Sequence, residues 1–153
     1  WHLIHITPDE TYSADILIPY GIPGLSQRST AFDLTITTNF NKTMVGKAAK
    51  KDLAAAQSGE DRKSNEHETD LDKRGFDFFP LAFEATGGHC DQVAPIAHYF
   101  ISQHSLMTGI PFSELSVNFW TRLSLSIQRS NATAILWRKK RLISNDQESE
   151  DLI

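Results

Sequence analysis

Two acidic residues stand out for the company they keep. Asp15 lies in Ala14-Asp15-Ile16-Leu17-Ile18-Pro19 and Asp33 in Thr30-Ala31-Phe32-Asp33-Leu34-Thr35-Ile36-Thr37-Thr38, two runs whose apolar and β-branched residues read as strands. Burying a lone carboxylate is costly, so two of them on neighbouring strands point to a shared cation. Side chains alternate along a strand, which puts Asp33 and Thr35 on one face with Ala31 and Thr37 and leaves Phe32, Leu34 and Ile36 for the other. The acid then sits on the polar face. Pro19 and the Tyr20-Gly21-Ile22-Pro23-Gly24 turn end the first strand. Successive strands usually pair, so the two carboxylates are expected to converge. Without such convergence, Asp15 is an ordinary turn or cap residue.

The elements that must position them follow from the hydrophobic spacing. Lys42 to Gln57 carries Val45, Ala48, Ala49, Leu53 and Ala56 at helical intervals, with an interruption expected at Ser58-Gly59. The charged run from Glu60 to about Lys73 reads as a second, largely exposed helix, and Gly75 as its stop. Phe76 to Ala85 is apolar on both faces, the signature of a central strand, and ends at Thr86-Gly87-Gly88. A helical stripe of Val93, Ile96, Ala97, Phe100 and Ile101 follows and is broken by Gly109-Ile110-Pro111. Ser113 offers an N-cap for a long helix to about Leu142, with Trp120, Leu123, Ile127 and Ala134 facing inward. With the interrupted helical stretch from Lys42 to Lys73 counted once, the order β, β, α, β, α, α predicts an α/β domain with a mixed sheet over residues 1–143. The acidic segment 144–153 is expected to be a disordered tail.

Composition narrows the function classes. The chain has 153 residues and 40% hydrophobic content, enough for one domain with a core. It begins at Trp1 rather than Met, so a segment of something longer is expected. No apolar run approaches the roughly 20 residues a membrane span requires, and with no secretion signal the expectation is an intracellular protein, nuclear when acting on DNA. A single cysteine, Cys90, excludes an internal disulfide. The formal net charge of −4 argues against nucleic-acid binding by overall electrostatics, although Arg138-Lys139-Lys140-Arg141 leaves room for a local basic face.

Five stretches carry a resemblance to a known family: Ala14–Pro19, Ala31–Thr37, Glu60-Asp61-Arg62-Lys63, Phe79-Pro80-Leu81-Ala82-Phe83-Glu84 and Arg122 to Ala132. Together they resemble the restriction-like endonuclease domain, of the PD-(D/E)xK nuclease superfamily, found at the C-terminal end of site-specific non-LTR retrotransposon polyproteins. The resemblance implies a restriction-endonuclease-like mixed sheet flanked by helices. It also implies a pair of acids holding Mg²⁺ (or Mn²⁺) and a lysine that orients or activates the attacking water. On that mapping Asp15 and Asp33 are the metal ligands. Three departures accompany it: Ala14 replaces the family's proline, the stretch between the aspartates is longer, and Thr35 stands where the superfamily lysine follows the second acid. In the retrotransposon branch that lysine comes from the next helix, in a run resembling Arg62-Lys63-Ser64-Asn65-Glu66-His67, which makes Lys63 its counterpart. Glu66 and His67 occupy positions where the similar sequences tend to carry a basic residue and a tyrosine. By residue pattern alone, Lys63 is a solvated helix lysine.

Further candidates are weaker. Glu84 closes the third strand, a place where α/β folds often keep functional groups, and serves either as a third acid of the site or as a structural group in the turn. Cys90 with His89, His98 and His104 matches no standard zinc spacing. Arg122, Arg129 and Lys140 lie seven and eleven residues apart, so they project in nearly one direction from a helix, as a phosphate-contacting stripe or a plain solvated face. There is no Gly-rich phosphate loop and no nucleophile elbow. The expected activity is nicking of target DNA for reverse transcription by an upstream domain of the same polyprotein. The alternative is a catalytically silent derivative acting as a nucleic-acid-binding or interaction domain.

Overall fold

The computed structural model describes residues 14–150, with side chains described as far as residue 141. It contains a three-stranded sheet, β1 (Ile16–Ile18), β2 (Ser29–Thr37) and β3 (Phe76–Glu84), and four helices, α1 (Lys42–Ala48), α2 (Ala54–Lys73), α3 (Val93–Thr108) and α4 (Phe112–Glu150). The strand order is β1-β2-β3, antiparallel in the first pair and parallel in the second. The α/β class, the mixed sheet and the long C-terminal helix are as expected from the sequence. α4 runs into the acidic segment 144–153, whose side chains lie outside the described residues.

β2, not β3, is the central strand of the described sheet. The sequence signal was present in Pro80, which lacks a ladder N–H and is tolerated in an edge strand. β3 is nevertheless covered on both faces, as its apolar run requires. On one face Phe79 joins Ile22 and Phe32 against Ile96, Tyr99 and Phe100 of α3. On the other, Phe78 meets His67 of α2, ring centroids 6.0 Å apart. The sheet is thus layered between α2 and α3.

The helical break falls over residues 49–53 rather than at Ser58-Gly59, with Leu53 in the left-handed region at φ 58°. Gly59 is buried inside α2 because the helix lies very close to the sheet there. A Cβ at Gly59 would sit 2.8 Å from Thr37 Cγ2 and 3.3 Å from Thr35 Cγ2. Glycine is therefore the residue that lets α2 approach, not the one that ends it. The expected stops at Gly75 (φ 85°) and Gly109 (φ 72°) are in place.

α4 packs through Trp120, Leu123 and Ile127 on a cluster of Ala82, Phe83, Cys90 and Val93, and Asn131 donates a 2.7 Å hydrogen bond to the Ala85 carbonyl. Residues 132–141 are all exposed, so Ala134 is not an inward-facing position. α4 also begins at Phe112, which places Ser113 within its first turn rather than before it. Among the described residues no helix is long and apolar enough to cross a membrane.

Candidate active site

The polar face of β2 is the covered one. Asp33 is 6% exposed, whereas Leu34 and Ile36 on the opposite face are 42% and 49% exposed. The pattern inverts the usual rule because α2 lies over Asp33, Thr35 and Thr37, while α3 reaches only as far along β2 as Phe32. A buried carboxylate there requires a partner.

α2 supplies it. Ala55, Gly59, Lys63, His67 and Leu71 recur every fourth residue and form the line of the helix that faces the sheet; Ala55, Gly59 and Leu71 are buried. Lys63 Nζ lies 2.7 Å from Asp33 Oδ2, and the side chains are 19% and 8% exposed. Lys63 is therefore a half-sequestered member of the sheet-facing stripe, not a solvated lysine. His67 Nε2 stands 3.9 Å from the same oxygen and 3.5 Å from Glu66 Oε2. Arg62 reaches Thr35 Oγ1 at 3.3 Å and Glu66 Oε1 at 3.2 Å. A cation thus arrives beside Thr35 even though that position is not itself a lysine. Apart from the ammonium, Asp33 Oδ2 receives no well-directed hydrogen bond.

Asp15 stands just before β1, beside the Phe32–Leu34 stretch of β2. The β1–β2 ladder pairs Ile16 with Phe32, Leu17 with Ala31 and Ile18 with Thr30, and Asp15 lies one residue beyond its last pair. There the backbone leaves the regular ladder. Asp15 donates its N–H to Phe32 O at 2.9 Å, and its Oδ2 accepts the Leu34 N–H at 2.8 Å. The carboxylate takes the place of a ladder carbonyl beside the amide that follows Asp33. It is exposed where Asp33 is buried.

Glu84 does not join this group. Its Oε1 accepts the backbone N–H of Ala55 (3.0 Å) and Ala56 (3.3 Å), and its Oε2 accepts Asn39 Nδ2 (2.8 Å) and Thr86 Oγ1 (3.3 Å). Both oxygens are committed to holding the start of α2 against the end of β3, where a carboxylate also complements the helix dipole. Burial would push its pKa up, but these four hydrogen bonds outweigh it and hold the group below the usual carboxylate range. Its position is structural.

Glu60 of α2 and the Cys90 thiol have no contact with the Asp33–Lys63 pair. Burial pushes Glu60 up, against the hydrogen bond from Gln57. Burial likewise raises the Cys90 thiol, which is free and directed at the Pro80 carbonyl at 3.6 Å. Arg122 and Arg129 are exposed on α4, as is Lys140. Among the described residues no three His, Cys, Asp or Glu side chains gather closely enough to form a complete protein ligand set for a metal. Asp15 and Asp33 offer oxygen donors only, the type a hard divalent cation takes, and Mg²⁺ commonly completes its shell with water and substrate phosphate. The donor chemistry fits that ion with two protein carboxylates.

The one trace of the Lys63 geometry in the sequence is that it falls on the line 55-59-63-67-71, whose other members include Ala55, Gly59 and Leu71. Charge density in the Glu60–Lys73 run masked it. Compared with known proteins, the chain matches no family model, no curated protein and no solved structure.

Proposed function

We propose that the chain is a restriction-endonuclease-like domain that nicks DNA by Mg²⁺-dependent hydrolysis of a phosphodiester, acting beside a reverse transcriptase domain of the same retroelement protein. The observation that carries this reading is the 2.7 Å approach of Lys63 Nζ to the buried carboxylate of Asp33. A buried ion pair contributes little to stability compared with apolar packing, so its presence on the covered face favours a chemical role.

Asp15 and Asp33 would hold the ion, which when bound polarises the phosphate and lowers the pKa of water. Lys63, an ammonium held beside Asp33, would orient the attacking water and stabilise charge developing on the phosphoryl oxygens. α2 screens this side of the site from bulk solvent, which strengthens both interactions. Water oxygen bonds to phosphorus, the P–O3′ bond breaks, and the leaving oxygen takes up a proton. The product is a nick with a 3′ hydroxyl able to prime synthesis.

The test is relaxation of supercoiled plasmid with Mg²⁺ by the wild type, Asp33→Ala and Lys63→Ala. Nicking by the wild type and loss of ~100-fold or more in each variant supports the reading. Rates unaffected by both substitutions overturn it, and no nicking by the wild type overturns it in favour of the silent nucleic-acid-binding or interaction domain.

A further inference from the structure

From Leu34 to Lys51 the sequence carries four lysines and no acidic residue, in a chain whose formal net charge is −4. All four, Lys42, Lys47, Lys50 and Lys51, are exposed and line one groove of about 630 Å³ between α1 and the start of α2. None of them has a carboxylate partner among the described residues, whereas Arg28, Arg62, Lys63 and Arg74 all do. The single acid on the groove wall, Asp61, is engaged by Gln57 Nε2 at 3.3 Å. Four lysines against the one carboxylate of Asp61 leave the groove with an excess of positive charge, which an anionic partner relieves.

The groove has a direction. It shares Thr43 and Ser58 with a second recess of about 280 Å³ that ends at Arg62 and Thr37. Arg62 in turn touches Thr35 and precedes Lys63 on α2. A chain of cations and hydroxyls therefore leads from α1 to Asp33. The exposed ring of Phe40, 76% accessible, stands just before α1 and offers an apolar surface to a sugar or base.

We infer that Lys42, Lys47, Lys50 and Lys51 form a landing track for the sugar-phosphate backbone of duplex DNA, delivering the scissile phosphate past Arg62 to the Asp33–Lys63 pair. The inference rests on the nuclease reading for its destination but not for its binding surface. A phosphate backbone fits because the contacts are repeated point charges along a groove, without the planar forks that base recognition uses.

The experiment measures anisotropy of a short fluorescein-labelled duplex with the full chain, in EDTA so that no cleavage occurs, across a salt series. The wild type should bind. Lys47→Gln/Lys50→Gln/Lys51→Gln should lower the slope of log K against log salt by roughly 0.9 per lysine, about 2.7 in all. Between 50 and 200 mM salt that difference amounts to roughly 40-fold in relative affinity. An unchanged slope overturns the inference, as does a loss seen only with Arg122→Gln/Arg129→Gln, which would move the track to α4. Displacement of the duplex by polyglutamate at matched charge would also overturn it, making the groove a dock for acidic protein. Asp33→Ala separates the two readings. If it abolishes nicking while the lysine variant binds normally, only the track fails; if it nicks normally while the lysine variant loses its slope, only the nuclease reading fails.

Discussion

Two glycines in neighbouring helices should respond to the same substitution with opposite sign. Gly46 in α1 has nothing within 4 Å of the position a Cβ would take, whereas at Gly59 in α2 that atom would meet Thr37 Cγ2 at 2.8 Å and Ala82 Cβ at 3.4 Å. Gly46→Ala then gains only the helix preference of alanine, about 0.5–1 kcal/mol. Gly59→Ala gains the same preference but must displace the β-branched Thr37 or lift α2 from the sheet, an overpacking cost of about 1–3 kcal/mol. The two variants should therefore separate by about 2 kcal/mol, with the wild type between them. Urea unfolding followed by far-ultraviolet circular dichroism reads this directly, and for a chain of this length it amounts to a Tm difference of about 4–8 °C. Lys63 lies one turn beyond Gly59, so lifting the helix also carries its ammonium away from Asp33. Nicking by Gly59→Ala should fall on the order of tenfold, with Gly46→Ala unaffected. Equal stabilisation by both substitutions would refute the close approach of α2 and with it the position of Lys63.

Other outcomes follow from the same contacts. Glu84→Ala should cost about 1–2 kcal/mol by uncapping Ala55 and Ala56. Because the folded pKa of Glu84 is depressed, its contribution is present above the unfolded carboxylate value of about 4.3 and is lost as pH falls below it, so Glu84→Gln should flatten the acid limb of a stability profile. Glu60 has the opposite sign: its raised pKa means stability is full below the unfolded value and lost as pH rises through the folded one. Glu60→Gln should accordingly raise Tm at neutral pH, with the gain vanishing in acid. Lys63→Met, which strands a buried carboxylate, should destabilise by about 1–3 kcal/mol, and adding Asp33→Asn should restore part of that in urea unfolding.

Much of this was readable from residue order, and the failures have physical causes. The strands were found because Ile16–Ile18, Ser29–Thr37 and Phe76–Glu84 carry local β preference, and the stops at Gly75 and Gly109 because left-handed backbone favours glycine. Alternation assigned Asp33 to the correct face of β2 but not to the covered one. Which face is buried depends on where α2 and α3 land, and α2 lands there only because Gly59 carries no side chain. The same long-range packing explains Glu84, whose role depends on the first turn of α2, some thirty residues earlier in the chain. Lys63 was reachable by the family resemblance and by the fourfold spacing of its helix, yet its charged neighbours gave it the look of a surface residue. Apolar spacing continues along α4 after the core beneath it has ended, so Ala134 reads as inward-facing and is exposed.

The central claim is that Asp33 and Lys63 act as one unit on a phosphodiester, and single-turnover nicking at saturating Mg²⁺ tests it most directly. Asp33→Asn, Lys63→Met and the double variant should be compared with wild type, with folding of each checked by circular dichroism. Groups that act together lose their effect together, so the double variant should be no slower than the slower single one. Multiplicative losses, or a Lys63→Met enzyme that nicks at the wild-type rate, would contradict the account.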